Sequence, residues 1–449
     1  MKTMKVLVLN ASPKPKTSIT LQNSLYLEKK FPSLSFSYIH TGCSVKANEQ
    51  KLEGTVSEMR EADLIVFSFP VYTFIAPSQL HYFIHLLKEK NLSFEGKKAT
   101  IITTSKHFYD MTAHRWLEEN LLDLGFSFIE GLSLDMEDLT KEEGQKNLTS
   151  WFERALWAAE NGIWKTEFGK KELPPLPDIT VPAVSAEKKD DYTVSVVVDY
   201  SEGKERLEKM VSSFVARFPY KTRIVNLTDF SFKGGCLGCL KCALDGKCVY
   251  SDGFNNLLEN EVLSSDGVVY AFTITDHSMG PKFKNYDDRR FYNGHRTVSQ
   301  FKPIGYIING HLEDEENLRT VLEARSDVGR NYLTGLATDD EGLRKLSLSL
   351  QYALEKKYVK PRTFYGVGGM KIFRDLIWVM RGIMRDDHKF YKKYGFYDFP
   401  QKERGKMIAL CFVGSLMRNK KLMAKGGAMM DEGMLAPYKK VIDGVPDAK

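Results

Sequence analysis

No run of apolar residues in this 449-residue chain approaches the ~20 that a membrane-spanning helix needs. The N-terminus enters the strand-like Val6-Leu7-Val8-Leu9 with no secretory h-region or cleavage site ahead of it, so the expectation is a cytoplasmic chain. Cysteine is sparse and unevenly placed: of six, Cys236, Cys239, Cys242 and Cys248 crowd together, while Cys43 and Cys411 stand alone. Without a secretory signal, that cluster argues against a disulfide framework and for metal or redox chemistry. Neither G-x-G-x-x-G nor G-x-x-x-x-G-K-[ST] occurs, which excludes a dinucleotide fingerprint and a Walker loop. Charge of one sign is also weak, at +6 overall, and no nucleic-acid partner is expected. Residues 361–449 nevertheless hold 18 basic and 9 acidic side chains. Such a tail attracts an anionic membrane surface or an acidic protein, although a solvated face is the commoner meaning.

What is present is a repeated α/β pattern. Val/Ile/Leu/Phe-rich runs at Lys5–Asn10, Leu34–His40, Leu64–Ser68, Lys98–Thr104 and Phe126–Leu134 read as strands of a parallel sheet covered on both faces. Helical stretches lie between and after them, near Thr20–Lys30, Thr55–Glu61, Ser78–Lys88, Ala113–Asp123 and Lys141–Glu160. Residues 166–192 carry Pro174, Pro175, Pro177 and Pro182 and read as a linker. The pattern then restarts, with strands at Thr193–Asp199, Thr222–Asn226, Gly267–Phe272, Pro303–Asn309 and Tyr332–Thr338, and helices near Glu202–Phe218, Glu313–Arg325 and Glu341–Tyr358. An offset of 204–205 residues brings Pro77 onto Pro281, Tyr82 onto Tyr286 and Leu64–Phe67 onto Val268–Ala271. The organisation is therefore two copies of one doubly wound domain, 1–165 and 193–360, followed by a basic helical extension, 361–449. Within the extension, Ile372, Phe373, Leu376, Ile377, Met380, Ile383 and Met384 fall at helical spacing, flanked by Lys371, Arg374, Arg381 and Arg385, which suits a helix packed over an α/β domain or, alternatively, lying on a membrane.

Three loops of the first copy carry chemistry. After the first strand, Ser12, Ser18 and Thr20 with Lys14 and Lys16 lead into a helix, a hydroxyl-rich setting that suits a monophosphate such as that of FMN. After the third strand, Pro70, Val71, Tyr72, Thr73 and Phe74 offer aromatic and backbone groups to a flat ring, and Thr104, Ser105 and Lys106 follow the fourth strand on the same edge. Tyr72, Lys106 and His107 are candidates to touch a flavin or substrate; no side chain is assigned as catalytic. The second copy has Asp199 and Glu202 where a phosphate would lie, and it lacks the Pro-Val-Tyr element.

In the second copy, Gly234-Gly235-Cys236-Leu237-Gly238-Cys239-Leu240-Lys241-Cys242 with Cys248 can wrap an iron–sulfur cube, its glycines permitting the tight turns. Zinc and redox-active thiols remain alternatives. Arg289 and Arg290 read as a surface pair, with recognition of a 2′-phosphate as the sharper alternative.

Together these motifs resemble the NADPH-dependent FMN reductase and iron–sulfur flavoprotein family. Ser12-Pro13-Lys14 with Ser18 and Thr20 is similar to its phosphate loop, with Ala11 in place of the usual Gly; Pro70-Val71-Tyr72 is similar to its isoalloxazine loop; and Cys236, Cys239, Cys242 and Cys248 match its compact cysteine motif. The resemblance implies two tandem flavodoxin-like five-stranded parallel sheets, with FMN on the first and a [4Fe–4S] cluster on the second. It further implies NAD(P)H or a redox protein as electron donor, and an internal pseudo-dimer. An electron carrier or redox sensor without its own substrate is the alternative function.

Overall fold

The computed structural model describes residues 3–166, 173–183, 187–293, 295–416, 435–436 and 438–445. Two parallel sheets form its frame. In the first, β1 (Lys5–Asn10), β2 (Ser35–His40), β3 (Leu64–Pro70) and β4 (Lys98–Ser105) lie in the order β2-β1-β3-β4. The fifth position is shared by β5 (Ser127–Phe128) and β6 (Leu132–Asp135), both paired with β4. A single fifth strand over Phe126–Leu134 is the sequence expectation, and the interruption has a local cause. A Cβ on Gly131 would lie 2.7 Å from Ile101, and the Glu130 carbonyl between the two pieces accepts from Trp151 Nε1 at 3.0 Å instead of pairing in the sheet.

Helices α1 (Ile19–Lys30), α2 (Val45–Glu61), α3 (Ser78–Glu89), α4 (Asp110–Asp123) and α5 (Glu142–Asn161) connect and cover this sheet. Helix α2 starts ten residues earlier than expected, at a Ser44 cap that accepts from Ala47 N. The second sheet runs β8 (Tyr220–Asn226), β7 (Lys189–Val198), β9 (Gly267–Thr273), β10 (Pro303–Asn309), β11 (Tyr332–Ala337). All its pairs are parallel, and the strand order is the same 2-1-3-4-5. Helices α6 (Lys204–Arg217), α7 (Lys241–Asp245), α8 (Phe254–Leu257), α9 (Pro281–Arg289), α10 (Glu316–Val328) and α11 (Asp340–Lys356) accompany it. Beyond them lie α12 (Phe364–Val379), α13 (Arg385–Lys393) and α14 (Arg404–Leu416). The protein is thus an α/β chain of two flavodoxin-like sheets with C-terminal helices. It divides into two compact units, Met1–Phe390 and Tyr391–Lys449. Among the described residues no helix is long and apolar enough to cross a membrane.

Apolar residues of the inner strands are excluded from solvent on both sheet faces, as parallel sheets require: Val6, Val8 and Leu64 on one face of the first sheet with Leu7, Leu9 and Ile65 on the other, and Val196 and Val269 on one face of the second with Val197 and Tyr270 on the other. The extended segment ahead of β7 runs against the second half. Arg206 donates to Pro177 O, Ser213 Oγ donates to Thr180 O, and Asp340 accepts from Thr180 N.

Equivalent helices join the two halves. Helix α3 packs on α9, each following the third strand of its sheet, and α4 packs on α10, each following the fourth. A contact between like elements is the signature of an isologous, two-fold interface. Its chemistry is strongly polar. His81 of α3 is fully buried, 2.6 Å from Asp276 and stacked on Trp116, whose indole N–H donates to Asp276 O. Lys284 and Asp288 of α9 pair with each other in the interior and both engage Thr73. Asp288 also accepts from Ser78 N at 2.7 Å, so a carboxylate from one half caps a helix of the other.

Candidate functional site

The loops singled out in the first half converge because parallel strands deliver their C-terminal ends to one edge. Asn10, the last residue of β1, shapes the phosphate-type loop by donating to Pro15 O and accepting from Ser12 N. Ser18 caps α1 by accepting from Leu21 N, and no acidic residue occupies the first turn of that helix. Thr20 and Thr104 share a hydrogen bond of 2.5 Å between their hydroxyls, tying the β1 loop to the β4 loop. The β3 loop is pinned by Val71 N donating to Thr104 O and by a small antiparallel bridge between Tyr72 and Ile75.

These loops form one wall of a cavity of about 340 Å³. Ser12, Lys14, Ser18, Thr20, Pro70, Val71, Tyr72, Thr73, Thr104, Ser105 and Lys106 all line it. Lys16 and Phe74 do not: Lys16 is exposed, while the Phe74 ring is buried against Tyr109 and under the Arg325 guanidinium. His107 also lies outside, with Nδ1 on Asp110. Lys106 reaches the cavity, but its ammonium pairs with Asp135 and Glu137; Lys14 has no ion-pair partner among the described residues.

The opposite wall comes from the second half. Cys236, Cys239, Cys242 and Cys248 all line the same cavity. Their segment is held from behind by Arg289, which donates to Gly234 O and forms a two-point pair with Asp252, 2.9 Å on each arm, while stacking on Tyr250. Burial works to raise the Asp252 carboxyl, but these bonds outweigh it and hold the group down at about 2. Arg289 is therefore an interior anchor and not a surface residue; it is 1% exposed. Burial pushes the Cys236 thiol up to about 12 and the Cys242 thiol to about 11, so both are protonated at neutral pH unless a metal displaces the proton. Gly238 N donates toward Cys236 Sγ at 3.4 Å, and Cys242 Sγ donates to Phe291 O. Among the described residues, no three of these sulfurs approach one another within 4.8 Å.

A third wall was legible in the sequence only as an apolar helix face. Ile372, Phe373 and Leu376 of α12, with Met380 and Met384 just beyond, close the cavity over the two sets of loops. Helix α12 packs on α10, in line with the packed-helix expectation. Asp327 caps it, accepting from Thr363 N and Gly366 N, and Phe373 stacks on Phe108 at 4.4 Å. Phe108, Met136, Tyr250, Phe291 and His295 also line the cavity, and no local motif marked them.

In the second half the matching position is filled. The Asp199 carboxylate accepts from Ser201 N and Oγ, and Gly203 is pressed against Asn309 and Thr273. The third-strand loop there carries Asp276 and His277 into the interface between the halves, His277 bridging Asp123 and Glu315.

Residues 4–132 match the Flavodoxin_2 family, whose description is a flavodoxin-like fold. Solved structures show limited likeness. An NAD(P)H:quinone oxidoreductase from Methanothermobacter marburgensis is 13% identical over 37% of this chain and 100% of its own, with a TM-score of 0.28. An FMN-dependent NADH-azoreductase from Bacillus anthracis is 16% identical over 35% and 99%, with a TM-score of 0.25. Likenesses of that size carry no argument about chemistry. A search of curated proteins returns no significant match.

Proposed function

We propose that the chain is an FMN-dependent NAD(P)H oxidoreductase in which one cavity brings together a flavin held by the first half and a [4Fe–4S] cluster held by the second. The observation that carries this reading is the shared cavity: hydroxyl-rich and aromatic loops of the Flavodoxin_2-matching half face four cysteines of the other half. The parts fit a flavin monophosphate. The N-terminus of α1, with Ser12, Ser18, Thr20 and the unpaired Lys14, would hold the phosphate. The Pro70–Thr73 backbone and the Tyr72 ring would flank the isoalloxazine, and burial raises the Tyr72 hydroxyl well above its ordinary value, so it stays a neutral donor. When bound, FMN supplies hydride acceptance and one-electron release.

Cys236, Cys239, Cys242 and Cys248 would hold the cluster, with the Gly238 N–H donating to a ligating sulfur. The raised Cys236 and Cys242 thiols weigh against a redox dithiol, which needs an accessible thiolate, and a metal would have to displace both protons on binding. The filled second-half loop supports a single flavin per chain. The like-with-like packing of α3 on α9 supports a fused, pseudo-dimeric origin. Helix α12 would cover the space between the two cofactor walls with Ile372, Phe373 and Leu376.

Anaerobic purification tests the proposal, with an absorption spectrum and iron, sulfide, zinc and FMN analysis on one sample. Flavin bands with a broad shoulder and about four irons, the iron lost on Cys239→Ser, are expected. FMN with zinc, or with no metal, would remove the cluster; a sample without FMN would overturn the reading.

A further inference from the structure

Beside the flavin-facing cavity lies a second, smaller one of about 120 Å³, and the two share Thr73, Phe291, His295 and Phe373 as a common wall. Its lining is rich in donors that lack acceptors. Arg290 sits over the rings of Tyr270 and Tyr286, with centroids at 5.0 and 5.8 Å, and donates no hydrogen bond among the described residues. Its nearest carboxylate contact is Asp287 at 3.9 Å. That carboxylate is already taken by Arg325, which donates to both its oxygens. Arg296 is likewise matched, by Asp386 and Asp387. Among the described residues that line the pocket, Arg290 is thus the cation without a close carboxylate partner. Tyr306 is 1% exposed and Thr297 8% exposed, yet the hydroxyl of each is buried without a partner among the described residues, as is Arg325 Nε. An inward-facing guanidinium and buried unpaired donors are costly unless something accepts from them.

We propose that this pocket is a binding site for a tetrahedral phosphate group, held by Arg290 with the hydroxyls of Tyr306 and Thr297. A phosphate supplies acceptors to all three and neutralises Arg290, whereas water would satisfy the hydroxyls and leave the charge unmatched. The group has two sources. It is free phosphate, or it is the 2′-phosphate of a nicotinamide dinucleotide whose ring reaches the neighbouring cavity. The site itself stands without the flavin reading; the dinucleotide source rests on it.

The test is calorimetric titration of the purified full-length protein with sodium phosphate, against sodium chloride at equal ionic strength. Saturable, phosphate-specific binding is expected, weakened about tenfold or more by Arg290→Gln and severalfold by Tyr306→Phe, with bound-flavin absorbance unchanged. Should Arg290→Gln not fold, Tyr306→Phe, which removes one hydroxyl, still decides. Heats no different from chloride, or wild-type affinity in Tyr306→Phe and in any folded Arg290→Gln, would overturn the site. Phosphate that competes with NADPH but not with NADH assigns the 2′-phosphate; binding without competition assigns free phosphate, and the site stands in both cases. A protein that binds phosphate but holds no FMN would remove the flavin reading and leave the phosphate site intact.

Discussion

Gly238, at φ +58°, lies so close to Tyr72 that a Cβ built on it would sit 2.0 Å from the tyrosine hydroxyl. One residue belongs to the cysteine segment of the second half and the other to the β3 loop of the first. The two walls of the cavity are therefore in direct contact, and that contact tolerates no side chain on the cysteine side.

Gly238→Ala carries two separate penalties, a left-handed backbone for an L-residue and the overlap with Tyr72. A loss of about 1–3 kcal/mol in unfolding free energy is expected, with reduced FMN content after purification. Adding Tyr72→Phe removes the atom being struck and should restore part of the stability while leaving the backbone penalty. A single Gly238→Ala variant with wild-type stability and flavin content would contradict the close approach.

The Lys284–Asp288 pair is buried on both sides, with side chains 0% exposed. Asp288→Ala strands an ammonium in the interior and uncaps Ser78 N, so it should cost about 3–5 kcal/mol by urea denaturation. Replacing both partners by apolar residues of similar volume should cost clearly less, because no unpaired charge remains. Equal losses for the single and double variants would show that the pair is not desolvated as described.

His277 responds to alkaline pH. Burial works to lower it, but its bonds to Asp123 and Glu315 dominate and raise it to about 10. A group raised on folding stabilises fully below its unfolded value near 6.5, and the contribution fades as pH rises toward 10. The wild-type urea midpoint should therefore fall faster between pH 7 and 10 than that of His277→Asn, which should already be weaker by about 1–3 kcal/mol at pH 6. Parallel pH profiles for the two proteins would remove the His277 clamp.

Phe373 stacks on Phe108 and closes the cavity from α12. Phe373→Ala should lower stability by about 2–4 kcal/mol and expose the bound flavin, seen as faster iodide quenching of its fluorescence. Unchanged quenching would mean that α12 does not shield the flavin.

Much of the molecule is written locally. The Val/Ile/Leu/Phe runs locate the strands, and the repeat offset correctly pairs Leu64–Phe67 with Val268–Ala271 as third strands, since strand burial depends on short-range pattern. The loops at Ser12–Thr20, Pro70–Phe74 and Thr104–Lys106 could be singled out because βα loops follow strands whose ends share an edge. The cysteine segment announces itself by spacing alone.

Other features depend on partners distant in sequence. Arg289 and Arg290 read as a surface pair, yet Arg289 is almost wholly buried together with Lys284, Asp287 and Asp288 of the same helix, each matched by a group more distant along the chain or on the facing turn. Local polarity is a sound guide to exposure only while charges lack such partners. The face of α12 shows that something will be covered, but not that it closes a cavity between two halves. The residue types, the two sheets and the candidate loops were thus determined by the sequence itself. That flavin-type loops and cysteines face each other was decided by the tertiary structure, because only the packing of α3 on α9 brings together segments some 165 residues apart.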